Sequence, residues 1–277
     1  MEASYDPAHV ARIFDAYGEQ EWDRHESAGF ARVAFHLHRK YLAETIRPDD
    51  RVLEAGAGPG RFTIELARLG ASVVVGDVSP GQLELNRKHV GEAGLESHVE
   101  ARVDLDILDL SRFADGSFDA VVCFGGPLSY VLDGAGRALD ELIRVTRSGG
   151  HVLLSVMSNH GSLRKYFGGL WEEVDRHGIP EIETVLETGD LPQELTSTAP
   201  NHMFTSRELL SLLEERPCDV LATSAANFLT LGNEEEVEAW MGDPERWERL
   251  LEWEARVCAG PGALDGGTHI IAVVRVR

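Results

Sequence analysis

The stretch RVLEAGAGPGRFTIELARLGASVVVGD, residues 51–77, decides the fold. Its first five residues are a short apolar run that ends in glycines. Residues 61–70 read as a helix that stops at Gly70, and residues 71–77 as a β-branched strand ending in Asp77. This is one strand–helix–strand unit with a glycine-rich first corner. Glycines there let the chain turn sharply and let a ligand lie against the main chain. The helix that follows aims its N-terminal amides at the same place. Two details describe the ligand. The dinucleotide fingerprint G-x-G-x-x-G would need glycines at 56, 58 and 61, but position 61 is Arg61 and the third glycine is Gly60. Glu54 stands two residues before Gly56, where an acid would repel a pyrophosphate and attract an ammonium. Asp77 follows Gly56 by 21 residues, the place where an acid accepts hydrogen bonds from ribose hydroxyls. The combination reads as a nucleoside site in which something positive replaces the phosphate. The competing readings are a plain tight turn for the glycines and an ordinary polar strand end for Asp77.

Working outward, residues 9–24 read as one amphipathic helix with Val10, Ile13, Phe14 and Tyr17 on one side. Residues 29–46 read as a second helix, closed by Pro48. After Asp77 come a helix over 80–94, opened by Ser79 and Pro80, and a strand over 98–104. A nearly continuous apolar strand follows over 118–124, then a helix over 135–147, a turn at 148–150 and a strand over 151–157. The alternation predicts an α/β fold with a doubly wound parallel sheet. Beyond residue 158 the rhythm loosens. A helix at 206–215, a strand at 218–225, a polar helical stretch at 234–258 and a last strand at 268–277 are expected. The long irregular stretches read as helical caps, because structureless loops of that length are uncommon. The expected organisation is an N-terminal helical extension or lid over 1–48, then one domain over 49–277 with cap insertions at about 159–204 and 228–266.

Several runs in this order resemble the class I S-adenosylmethionine-dependent methyltransferase family. Glu54-Ala-Gly56-Ala57-Gly58-Pro-Gly60 is similar to its first motif, and Asp77-Val78-Ser79 to its second. Phe118-Asp-Ala-Val-Val122 resembles its fourth strand, and Arg144-Val-Thr-Arg-Ser-Gly-Gly150 the turn before its fifth, with Thr146 and Ser148 departing from the usual residues. The match covers about 51–157 well and the rest in outline. It implies a seven-stranded Rossmann-like sheet with an antiparallel last strand. It also implies S-adenosyl-L-methionine as cofactor, with Glu54, Gly56, Ala57, Gly58 and Gly60 at the methionine end. Asp77 would lie at the ribose, and Val78 and Gln82 at the adenine. Asp106 and Ile107 would also hold the adenine, with Asp104 the competing acid. Phe124 and Gly125 would meet the methionine part at the end of the fourth strand. A helix before the first strand would fold over the cofactor, bringing Tyr17 or Arg24 to the carboxylate; an amphipathic helix with Arg24 in solvent is the other reading.

The resemblance implies in-line transfer of a methyl group from a sulfonium to a nucleophilic N, O, C or S. Such chemistry needs alignment and exclusion of water more than a strong acid or nucleophile. His160, just after the fifth strand, is a candidate general base, with His202 similar or weaker, and an ordinary loop histidine is the alternative for each. His36 and His38 are two apart on a helix and face different ways, so no metal site is expected. Arg61 and Glu54 argue against a nicotinamide dehydrogenase. A same-fold nucleoside-cofactor enzyme without methyl transfer, or a non-catalytic binding subunit, remain the alternatives.

Composition narrows the partners. The chain has 277 residues, 26 Lys+Arg against 47 Asp+Glu, and a formal net charge of −21. Such a chain has no general attraction for nucleic acid or an anionic membrane. The caps suggest a closed pocket, so the expected acceptor is a small molecule, and the protein is expected to be a monomer or homodimer. Only Lys40, Lys88 and Lys165 are lysines; adaptation to salt and codon bias both account for that. Cys123, Cys218 and Cys258 form no CxxC pair, and with no apolar leader a cytoplasmic setting is expected.

Overall fold

The computed structural model describes residues 4–277. Helices α1 (Pro7–Tyr17), α2 (Gln20–Asp23) and α3 (Gly29–Thr45) precede the first strand. The alternating part follows: β1 (Arg51–Ala55), α4 (Arg61–Arg68), β2 (Ser72–Asp77), α5 (Pro80–Glu92), β3 (Val99–Asp104), β4 (Phe118–Cys123), the short α6 (Pro127–Tyr130), α7 (Ala135–Val145) and β5 (Thr146–Met157). Then come α8 (Asn159–Tyr166), α9 (Leu170–His177), α10 (Ile179–Thr188), the two-residue strands β6 (Asp190–Leu191) and β7 (Asn201–His202), α11 (Ser206–Glu214) and β8 (Cys218–Ala225). The chain closes with α12 (Glu234–Met241), α13 (Pro244–Cys258) and β9 (His269–Val276).

Seven strands form one sheet in the order β3-β2-β1-β4-β5-β9-β8. The first five are parallel, and β9 runs antiparallel to both β5 and β8. The fold class expected from the sequence is therefore the observed one. Alternate residues of each strand face opposite layers. Leu53, Val74, Val121 and Leu154 pack with α7 and α11 on one side, and Val52, Val73, Val122 and Leu153 with α3 and α4 on the other. Strands buried on both faces carry near-continuous apolar runs, which is why VVV and AVVC were legible as strands. Strand order reverses between β1 and β4, so a crevice opens at their carboxyl ends, where open α/β sheets bind ligands.

Three expectations need correction. The helix expected over 9–24 is two helices, because Gly18 takes φ +56° and donates its N–H to Phe14 O, ending α1. The fifth strand begins at Thr146 rather than 151, pairing with Phe118 before the chain kinks at Gly149. The polar helical stretch expected over 234–258 is two helices, parted where Gly242 caps α12 and Asp243 opens α13, and its Trp253 is exposed rather than packed. The loop before that stretch is pinned by the fully buried Glu254, which accepts the amides of Phe228 and Thr230 and the Thr230 hydroxyl.

Candidate functional site

At the strand-order reversal the chain turns from β1 into α4 through Gly56, Ala57 and Gly58. The amides of Gly56 and Ala57 both reach the carbonyl of Gly76, at 2.8 and 3.0 Å, locking the turn to β2. Gly56 has φ +77°, and a Cβ there would collide with Pro127, so the loop after β4 closes directly on it. Asp77, at the end of β2, completes the turn. Its Oδ2 accepts Gly58 N–H at 2.8 Å and its Oδ1 accepts Ser79 N–H at 2.9 Å. Burial pushes the Asp77 carboxyl up to about 6, against those two amides, which hold it down.

A cleft of about 800 Å³ of empty space, open solvent at its mouth included, lies over this turn. Of the residues expected at a cofactor, Arg24, Gly56, Ala57, Gly58, Asp77, Val78, Gln82, Ile107, Phe124 and Gly125 line it. Glu54, Gly60, Tyr17 and Asp106 are not among its lining residues. Glu54 is buried behind the turn, where its Oε2 accepts the Thr63 hydroxyl at 2.5 Å while Oε1 has no partner. Burial lifts its carboxyl to about 8. Gly60 is the N-cap of α4 and packs on Asn86. Tyr17 is half-buried on α1. Asp106 is half-buried, with Oδ1 held by the Tyr5 hydroxyl at 3.0 Å and the Leu108 amide at 2.9 Å, whereas Asp104 is exposed. His160 is exposed on the first turn of α8 and does not line the cleft.

The N-terminal helices roof the cleft through polar latches. Asp15 Oδ1 accepts from Ser79 Oγ at 2.6 Å and from Gly81 N–H at 2.8 Å. The Gln82 amide donates to two carbonyls at the end of α1, Phe14 O at 2.8 Å and Gly18 O at 3.1 Å. Two carbonyl partners fix which end of the amide is nitrogen. Its Oε1 is thus the free end, buried and without a partner. Trp22 stacks on His89 with ring centres 3.8 Å apart, and the Arg61 guanidinium lies 3.8 Å from the Trp22 ring centre.

The far wall is aromatic. Phe124 packs edge-on to His38 and Phe62, at 4.7 and 5.3 Å between centres. His38 Nδ1 lies 2.7 Å from the carbonyl of Ala34, so it carries the proton. Its Nε2 accepts the Ser155 hydroxyl at 3.0 Å, and Ser155 Oγ accepts the Gly125 amide at 2.9 Å. Burial pushes the His38 imidazole down to about 4, keeping it neutral. The chain Ala34–His38–Ser155 therefore anchors Gly125 from α3 and β5. Sequence reasoning missed Tyr5, Glu21, His25 and Phe62 in the lining. None sits in a recognisable motif, and each reaches the cleft only through tertiary packing.

The residues fit a positively charged nucleoside cofactor. The buried acceptor Gln82 Oε1 lacks a partner. Each Asp77 oxygen uses one amide and keeps lone-pair capacity for a diol. The flanking Val78, Leu105 and Ile107 are apolar. A family model described as "Methyltransferase domain" matches residues 52–150. The magnesium-protoporphyrin O-methyltransferase of Rhodobacter capsulatus is 36% identical over 105 residues, spanning 36% of this chain and 45% of that protein. The demethylmenaquinone methyltransferase of Mycobacterium sp. (strain KMS) is 33% identical over 176 residues, 64% of this chain and 70% of that protein. Among solved structures, a SAM-dependent methyltransferase from Thermotoga maritima shares the fold with a TM-score of 0.56 at 16% identity, covering 97% of this chain and 100% of that one. This chain thus spans less than half of the first relative and more than two thirds of the second.

Proposed function

This chain belongs to the class I S-adenosylmethionine-dependent methyltransferase family, and on that premise we propose that it transfers a methyl group to a small-molecule acceptor. The observation that carries the reading is the joint placement of Asp77, Gly58 and Gln82 in one roofed cleft at the strand-order reversal. Bound there, S-adenosylmethionine supplies a methyl group already activated on a positively charged sulfur. The chain's own residues hold and shield it. Asp77 accepts from the ribose hydroxyls, and Val78 and Ile107 flank the adenine. The free oxygen of Gln82 is the acceptor available to the adenine amino group. Asp106, held by Tyr5, orders the loop that presents Ile107. Glu54 acts from behind, through Thr63, as a support of the turn. Of the two cleft-lining guanidinium groups, Arg61 is engaged by Trp22 and Glu26 and Arg24 is the one for the carboxylate; Tyr17 stands outside the lining.

Phe124 and Gly125 follow β4 directly, beside the aromatic wall, where an acceptor would meet the methyl group. His38 is spent on Ala34 and Ser155, so its role is to fix Gly125 and exclude water, not to take a proton. The relatives named as acting on demethylmenaquinone and magnesium-protoporphyrin support a ring-bearing acceptor of small-molecule size. The charge of −21 supports the same choice over a nucleic acid. No helix among the described residues is long and apolar enough to cross a membrane. The test is incubation of the protein with methyl-labelled S-adenosylmethionine and a panel of hydroxylated ring compounds and amines. Label should move to an acceptor with equimolar S-adenosylhomocysteine. Bound cofactor with no transfer to any acceptor would favour a non-catalytic binding subunit.

A further inference from the structure

The cleft is lined by two carboxylates, Asp77 and Glu21, and by two guanidinium groups, Arg24 and Arg61. Asp77 is engaged by two backbone amides. Arg61 is engaged by the Trp22 carbonyl at 3.0 Å and by Glu26 at 2.6 Å. Among the described residues the Glu21 and Arg24 side chains pair only with each other: Arg24 Nε and Nη2 both donate to Glu21 Oε1, at 2.8 and 2.5 Å. An acid and a base three apart on a helix usually form a solvated surface pair of little consequence. This one is different, because the Glu21 side chain is 12% exposed, while Glu19 and Asp23 beside it are exposed.

The two side chains reach different ends of the glycine wall. A Cβ at Gly58 would stand 3.8 Å from Glu21 Cγ, and a Cβ at Gly125 would stand 3.3 Å from Arg24 Nη2. Glu21 therefore overlies the turn after β1, and Arg24 the turn after β4. Both residues line the same cleft as Asp77 and Tyr130.

We infer that Glu21 and Arg24 are an exchangeable pair that reads the amino-acid end of the cofactor, Glu21 taking its ammonium and Arg24 its carboxylate. This rests on the S-adenosylmethionine reading given above. An amino-acid head group carries the same two charges as the pair, in a fixed arrangement. Alone, each residue neutralises the other and avoids an uncompensated charge in the cleft. With the ligand present, each exchanges one charged partner for another and four charges alternate. Among the described residues the one other acid that lines the cleft is Asp77, which serves the ribose. Glu54, where the first motif would put the role toward the ammonium, is turned away onto Thr63. Because α2 is tied to α4 and α5 through Trp22, Arg61 and His89, recognition of the head group and seating of the roof are one event. Adenosine thioethers without an amino-acid end would leave the pair closed on itself.

The test is calorimetry on the full chain with two probes, S-adenosylhomocysteine and 5′-methylthioadenosine, which lacks the amino-acid end. In Glu21→Gln the affinity for S-adenosylhomocysteine should fall about tenfold or more, while that for methylthioadenosine stays within about twofold. Arg24→Gln should show the same selective loss, and Glu54→Gln should leave the ratio of the two affinities unchanged. Retained methylthioadenosine binding also shows that a variant is folded. An unchanged ratio in Glu21→Gln and Arg24→Gln, or a ratio that collapses in Glu54→Gln instead, would overturn the inference and leave the cofactor reading standing. A wild-type protein that binds neither probe would overturn both.

Discussion

Asp77 Oδ2 accepts the amide of Gly58 across 2.8 Å, so the acid that ends β2 holds the turn that ends β1. One carboxylate thereby shapes the loop and faces the ligand. Asp77→Ala removes the acceptor and frees the turn. A charged hydrogen bond is worth ~1.5–3 kcal/mol, so affinity for S-adenosylmethionine should drop by roughly tenfold or more. Calorimetry checks the affinity, and hydrogen exchange at Gly58 checks the turn.

The same carboxyl gives a pH signature to binding. Burial raises Asp77 to about 6, and only its ionised form offers both oxygens fully as acceptors. Binding of S-adenosylhomocysteine should therefore strengthen as pH rises through about 6, and Asp77→Asn should flatten that rise. A wild-type affinity independent of pH between about 5 and 7 would show that Asp77 does not titrate in contact with the ligand.

Glu54 carries the opposite signature, in stability. Its folded-state carboxyl is raised from 4.5 to about 8 by burial. A group raised on folding contributes stability that is complete below its unfolded value and is lost as pH climbs through its folded value. Melting temperature of the unliganded protein should thus decline between about pH 4.5 and 8. Glu54→Gln keeps an acceptor for the Thr63 hydroxyl and cannot ionise. It should match wild type near pH 5 and exceed it near pH 8, by differential scanning calorimetry.

The roof is latched at Asp15, whose Oδ1 binds Ser79 Oγ and Gly81 N–H. At about 1 kcal/mol for each hydrogen bond, Asp15→Ala should speed release of S-adenosylhomocysteine by about five- to thirtyfold with the sheet intact. Stopped-flow displacement reads the rate, and an unchanged far-ultraviolet circular dichroism spectrum checks that the sheet is intact.

Much of the fold was legible because period-two and period-3.6 patterns are local. The runs at 51–55, 72–77, 118–123 and 269–276 are apolar and β-branched for reasons that act within each strand. The break at Gly18 was hidden because the amphipathic pattern runs through it; only its φ of +56° separates α1 from α2. Within the site, Asp77 was legible from its distance to Gly56. The orientation of Glu54 was not, since a motif fixes a position and not which side of the turn a carboxylate faces. Gln82 likewise spends its amide nitrogen on α1, a partner 64 to 68 positions earlier in the chain. Glu21 was invisible because an i,i+3 acid–base pair reads as helix surface until packing buries it.

The most direct measurement is titration of the wild-type protein with S-adenosylmethionine in a calorimeter at neutral pH. The expected result is a single saturable site with a Kd on the order of micromolar, lost in the double variant Asp77→Ala, Glu21→Gln. Absence of any binding by the folded wild-type protein up to millimolar ligand would contradict the account.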